Sequence, residues 1–210
     1  MNLFILGATG RVGRFILLNA LKDKNNVTAL VRDPEKLDSF LNDAHLTIVR
    51  GNVLNREDIR GAIKNADVVI SALNTDGTTT LSESMPQIIE EMQREGIKRI
   101  ITIGTAGILN SREYVDLLRY ASPESRRRST RAAKEHHKVY DLLKQTNLNW
   151  TIVCPTALSE AEAEGEGEYR TTVDFLPENG RKISIKDTAD FAYMQILNHT
   201  HIKARVGIAY

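Results

Sequence analysis

The stretch that most limits what this chain can become is its opening, MNLFILGATGRVGR. A short apolar run, residues 3–6, stops at Gly7, glycines recur at Gly10 and Gly13, and an apolar-periodic segment follows. That order predicts strand, glycine turn and helix. The three glycines do different things. Gly7 allows the tight turn off the strand, Gly10 lets main-chain N–H groups approach a pyrophosphate, and Gly13 lets helix and strand pack closely. The helix start then offers N–H donors and a partial positive charge to phosphate. The spacing is G-x-x-G-x-x-G, not the G-x-G-x-x-G of many dehydrogenases. A glycine turn without a ligand is the bland alternative, and the flanking strand and helix weigh against it.

With 28 Lys+Arg against 27 Asp+Glu, the net charge of +1 supplies no field to collect nucleic acid or an anionic membrane. A single cysteine, Cys154, excludes an internal disulfide and a multi-cysteine metal site, and no metal is expected. No apolar run approaches the roughly 20 residues of a membrane helix, and Met1 leads straight into the first strand. The expectation is a soluble, cytoplasmic protein with no membrane partner.

Along the chain, apolar runs at residues 27–31, 46–49, 68–72, 100–103 and 150–154 alternate with helical patterns. Alternation of this kind predicts an α/β fold: a single Rossmann-type, doubly wound domain over 1–210, with a mostly parallel sheet flanked by helices. Residues 156–210, with short strands near 169–173 and 183–185, a helix begun by Asp187 and a return strand at 205–210, complete the substrate side. Helices are also expected over 111–120 and 124–146, the latter with a stripe of Ala132, His136, Val139 and Leu143. Met85, Ile88, Ile89 and Met92 fall at helical spacing and read as core.

The second strand closes on Arg32, the position that meets the adenosine ribose in a dinucleotide fold. An acidic residue there binds the 2′-hydroxyl of NAD, whereas Arg pairs with the 2′-phosphate of NADP, so NADP(H) is expected over NAD(H), with Lys36 in support. Arg126, Arg127, Arg128 and Arg131 fall at a helix start, where the macrodipole disfavours cations. They form a solvated face, pair with the acidic segment, or serve an anionic ligand. That acidic segment, Glu160, Glu162, Glu164, Glu166 and Glu168 between small residues, reads as a flap over the substrate or a plain surface excursion.

Taken together, LFILGATGRVGR, ALVRDPEKL, VRGNVLN, ADVVISALN, GIKRIITIGTAGIL and WTIVCPTAL resemble the atypical short-chain dehydrogenase/reductase group, which includes NmrA-like proteins and the biliverdin-IXβ reductase (NADPH-flavin reductase) type. The resemblance implies that Gly7, Thr9, Gly10, Arg11 and Val12 hold the pyrophosphate and that Arg32 and Lys36 hold the 2′-phosphate. It further implies that Asn52 and Val53 face the adenine, that Ala72 and Leu73 line the ribose, and that Thr105, Pro155, Thr156 and Ala157 border the nicotinamide. Asn52 stands where the group usually has Asp, and Asn74 where Gly is common.

Typical members of the wider superfamily use Tyr and Lys at i and i+4, the Lys lowering the Tyr pKa. Tyr140 and Lys144 have that spacing but stand too close to the 150–155 strand; the usual positions fall at Thr130 and Lys134. Without the dyad, hydride transfer to a flavin or a similar planar acceptor (a tetrapyrrole or quinone) suits the chain, because reduced flavin can take its proton from water. Thr105 is the candidate hydroxyl for orienting nicotinamide or substrate. A non-catalytic NADP sensor of the NmrA type is the alternative. The expected assembly is a monomer or weak homodimer.

Overall fold

The computed structural model describes residues 1–75, 77–125, 127–159, 165 and 167–210. Parallel strands β1 (Asn2–Leu6), β2 (Asn26–Val31), β3 (Leu46–Arg50), β4 (Val68–Ser71), β5 (Arg99–Ile103), β6 (Asn149–Pro155) and β10 (Ala204–Ala209) form one sheet in the order β3-β2-β1-β4-β5-β6-β10. An edge strand, β8 (Arg170–Val173), closes it antiparallel to β10. A separate parallel pair joins β7 (Ala157–Ser159) to β9 (Lys182–Ser184). The strand order reverses between β1 and β4, which puts the ligand crevice of such a sheet at their carboxyl ends.

Strands buried on both faces read as unbroken apolar runs, and β1 shows why. Leu3 and Ile5 join the core beneath α1 (Arg11–Lys22) and α5 (Ile185–Met194), while Phe4 and Leu6 join the opposite core. That second core is covered by α2 (Arg56–Ala62), α3 (Thr80–Arg94) and α4 (Arg131–Lys144). Met85, Ile88, Ile89 and Met92 are buried there, as their spacing predicts. No helix among the described residues is long and apolar enough to cross a membrane.

Departures from the expected elements concentrate after β5. The helix expected over 111–120 does not form; an isolated bridge joins Asn110 to Leu118, and a 3-10 turn spans Arg119–Ala121. The cause is local competition for N–H groups. The Glu124 carboxylate accepts from Arg112 N (2.7 Å) and Glu113 N (3.1 Å), and Ser111 Oγ from Tyr114 N (2.8 Å), so the donors a helix would use are already taken. The next helix begins at Arg131 rather than near 124, which leaves Arg127 and Arg128 ahead of it; Arg126 lies outside the described residues. Its buried stripe is Glu135, Val139 and Leu143, with Ala132 exposed. The segment beginning at Pro34 is a 3-10 turn. The α5 N-cap is Ser184, whose hydroxyl accepts from Asp187 N, and not Asp187 itself. Of the acidic segment, Glu160, Glu162, Glu164 and Glu166 lie outside the described residues.

Candidate dinucleotide site at the strand-order switch

Gly7 leaves β1 with φ +78, a left-handed conformation, and a Cβ there would stand 2.5 Å from the Ala72 carbonyl oxygen. Gly13 is tighter still, since a Cβ would meet Gly7 O at 2.0 Å. Gly10 donates its N–H to Gly7 O (2.9 Å) and caps α1 with no side-chain hydrogen bond. The first-turn N–H groups at Arg11, Val12 and Gly13 therefore face outward beyond a bare backbone edge, which suits a pyrophosphate. The Val12 side chain is buried, so its contribution to that edge is main chain.

Ala72, on the far side of Gly7, donates its N–H to Leu6 O (2.9 Å) and locks the ends of β1 and β4 together. Leu73 and Asn74 follow into the loop, with Thr75 N bonded to Asn74 Oδ1 at 2.8 Å.

At the end of β2, Arg32 is exposed directly after Val31, and Lys36 stands in the Pro34–Phe40 turn with its Nζ 3.6 Å from Asp33 Oδ2. Sequence reasoning missed the residue that fixes this turn. Arg14 donates to Lys36 O (3.1 Å) and Ser39 Oγ (3.0 Å), and its guanidinium lies 5.0 Å from the Phe40 ring centroid. The glycine helix thus positions the turn after β2; the signal was an arginine directly after the last glycine.

Just beyond β3, Asn52 N–H donates to Asp58 Oδ2 (2.7 Å) and Asn52 Oδ1 accepts from Leu54 N (3.0 Å), so one lone pair of that oxygen is used locally. Val53 is turned into the core among Leu30 and Ile59, leaving its main chain for contact.

Across the switch, Thr105 follows β5 by two residues and caps a 3-10 turn, its hydroxyl accepting weakly from Gly107 N (3.4 Å). Pro155 is buried and Ala157 exposed. Between them, Thr156 carries a buried hydroxyl with no hydrogen-bond partner among the described residues, and Ser71 Oγ at the end of β4 is in the same condition. An orphaned buried hydroxyl costs stability unless a ligand meets it. A dinucleotide fits these residues: a main-chain cradle in which a Cβ at Gly7 or Gly13 would strike backbone, and a polar atom across the switch without a partner among the described residues.

The residues considered for chemistry separate cleanly. Tyr140 is stacked under Arg205 (guanidinium 4.4 Å from the ring centroid) and edge-on to Trp150 (5.8 Å), with Lys144 Nζ 5.8 Å from its ring. Its ring is used in packing. Burial pushes the Cys154 thiol up to about 12, which leaves it protonated and unreactive. Burial lowers His136 to about 4 against a weaker opposing pull from Glu135, so its ring is neutral. Among the described residues no group of three or more His, Cys, Asp or Glu side chains is placed to hold a metal ion.

Comparison with known proteins agrees with this geometry. The Ycf39 photosystem II assembly factor of Synechocystis is 32% identical over 120 residues, and the chain spans 36% of that factor's length. Among solved structures, a Bacteroides thetaiotaomicron protein provisionally named an epimerase superposes with a TM-score of 0.83 at 27% identity, covering 100% of this chain and 96% of that one. A Streptococcus pneumoniae protein provisionally named an NADH-flavin reductase gives 0.79 at 25% identity, covering 100% and 99%. The family model described as NAD(P)H-binding matches residues 7–199, the span from the first glycine to past the end of α5. The chain belongs to the NAD(P)H-binding family.

Proposed function

We propose that the chain is an NADPH-dependent reductase of a planar acceptor, with flavin the first to test. The observation that carries this reading is the placement of Tyr140: the one Tyr/Lys pair at dyad spacing is consumed in packing with Arg205 and Trp150, and the usual dyad positions hold Thr130 and Lys134. A threonine hydroxyl is too weak an acid to stand in for a phenol, so the acceptor must be one that draws its proton from water. The nucleotide, when bound, supplies the hydride.

The chain's own residues then act by position. Gly7, Thr9, Gly10, Arg11 and Val12 hold the pyrophosphate with main-chain donors, and Arg32, with Lys36, meets the 2′-phosphate on a turn that Arg14 holds in place. Asn52 and Val53 border the adenine, Ala72 and Leu73 the ribose. The Thr156 hydroxyl, without a partner among the described residues, is available to the carboxamide, and Pro155, Ala157 and Thr105 frame the ring. Residues 156–210 complete the acceptor side. The flavin-reductase name of the Streptococcus pneumoniae structure supports the choice of acceptor.

The test is NADPH oxidation with FMN as acceptor, with NADH as a control and Arg32→Ala alongside. Turnover that prefers NADPH, with that preference falling about tenfold or more in Arg32→Ala, is the expected result. If NADPH binds while flavin, tetrapyrrole and quinone all go unreduced, the chain is a nucleotide sensor instead.

A further inference from the structure

The arginine-rich run ahead of α4 is the motif that the nucleotide site leaves without a role. Arg128, Ser129, Thr130, Arg131 and Lys134 line an open cleft over the first turn of α4. Two contacts fix where it lies. The Arg131 guanidinium rests against Gly77, where an added Cβ would come within 3.0 Å of Nη1, and Ala133 packs on Gly107 in the turn that Thr105 caps. The cleft is therefore on the carboxyl edge of the sheet, between the 74–80 loop and the Thr105 turn, on the acceptor side of the nucleotide.

Several cations elsewhere in the molecule have acidic partners. Arg56 and Arg60 share Glu91, Arg119 pairs with Glu124, Lys186 with Asp190 and Arg205 with Asp174. In the cleft the one carboxylate among the described residues is Glu135. Burial pushes its pKa up, but hydrogen bonds from Lys138 (2.6 Å) and Ser82 (2.7 Å) outweigh burial and hold it below the ordinary range. Glu135 is thus ionised and already engaged. Arg128, Arg131 and Lys134 have no acidic partner within 4.0 Å among the described residues. They also crowd the positive end of a helix whose N-cap residue, Thr130, makes no side-chain hydrogen bond, where cations are unfavourable. Two guanidinium forks, an ammonium and two hydroxyls around one opening suit an oxyanion.

We propose that this cleft holds an anionic tail of the acceptor, so that the molecule reduced here is a planar one bearing a terminal phosphate or carboxylate. The acceptor itself is taken from the reductase reading, but the test is an equilibrium one, so the two can fail separately. FMN and riboflavin share a ring system and differ by the phosphate; a linear tetrapyrrole dicarboxylate and its dimethyl ester differ by the carboxylates. Each is titrated by fluorescence or absorbance change into protein loaded with NADP+.

The expected result is that the charged member of one pair binds about tenfold or more tighter, with an advantage that shrinks as salt is added. The pair that shows it distinguishes phosphate from carboxylate. In Arg131→Glu/Lys134→Glu, whose altered side chains are exposed, the ratio falls to near one, while Arg131→Lys keeps part of it. Melting temperature and NADPH affinity report whether the double variant is folded. Wild-type ratios near one in both pairs, no binding by any of the four compounds, or a double variant that weakens both members of a pair equally overturns the proposal. Charge discrimination without turnover keeps the subsite and removes the reductase reading; turnover without discrimination does the reverse.

Discussion

The two sides of the candidate site are made of different material. The nucleotide side, at the ends of β1, β2 and β4, is shaped by main chain: Gly7 against Ala72 O, Gly13 against Gly7 O, and Gly10 capping α1 without a side chain. The acceptor side, beyond β5, is shaped by side chains: Glu124 gathering Ser111 and the N–H groups of Arg112 and Glu113, Thr105 capping its own turn, Ser82 reaching Glu135. A cradle of backbone tolerates almost no substitution yet needs only glycines to specify it. A cradle of side chains can be recut one residue at a time, and that is how one sheet serves many acceptors.

The comparison predicts the steepest loss at Gly13. In Gly13→Ala the new Cβ meets a carbonyl oxygen at 2.0 Å with only backbone to give way, so NADPH affinity falls more than about a hundredfold and stability by about 3 kcal/mol or more. Titration calorimetry and chemical denaturation check this, and a variant that binds normally would break the contrast. Next in size is an acid effect at His136 on α4. Burial lowers His136 to about 4 from 6.5, so between those pH values the unfolded chain binds a proton that the folded chain refuses, and stability falls as pH drops through that window. The loss reaches up to about 3 kcal/mol by pH 4. Denaturation across that range in His136→Gln, which lacks the proton site, should show a flatter curve.

A smaller effect separates the sides directly. Glu124→Ala strands the donors that fold the 111–118 loop, and the KM for acceptor should rise several-fold, about tenfold at most, while NADPH affinity stays within about twofold. Equal losses in both would mean that the two sides are mechanically one. Smallest of all is Tyr140→Phe, which keeps the stacking on Arg205 and should change kcat by no more than about twofold; a drop of about a hundredfold would restore the phenol as the proton donor.

The same contrast governs what could be read from the sequence. The alternation of strands and helices, the mostly parallel sheet and the buried face of α3 were legible because parallel strands buried on both sides and amphipathic helices leave regular patterns, as Phe4, Leu6, Met85 and Ile88 do. In the glycine turn, Gly7 and Gly13 announced themselves because an added Cβ would strike main chain at 2.5 and 2.0 Å. Residues 111–125 misled because helix periodicity says nothing about a carboxylate arriving from Glu124 to take the local N–H groups. Arg14 was overlooked for a related reason: its partners, Lys36 and Ser39, are distant in sequence and meet it only through the fold. The buried Glu135 was missed because a stripe drawn from apolar residues passes over a carboxylate held by Ser82 and Lys138.

The antiparallel strand at the sheet edge has a consequence for how the chain is made. β8 pairs only with β10, yet it precedes β10 in sequence, and β10, whose six residues are all buried, must slot between β6 and β8. During synthesis β8 emerges with no neighbour to take its hydrogen bonds and must wait, as a bare ribbon, for a strand still to come. The nucleotide side, with β1 to β5 already made, has every partner it needs by then. The interval between those two events is when the nascent chain is most open to pairing with a strand that is not its own.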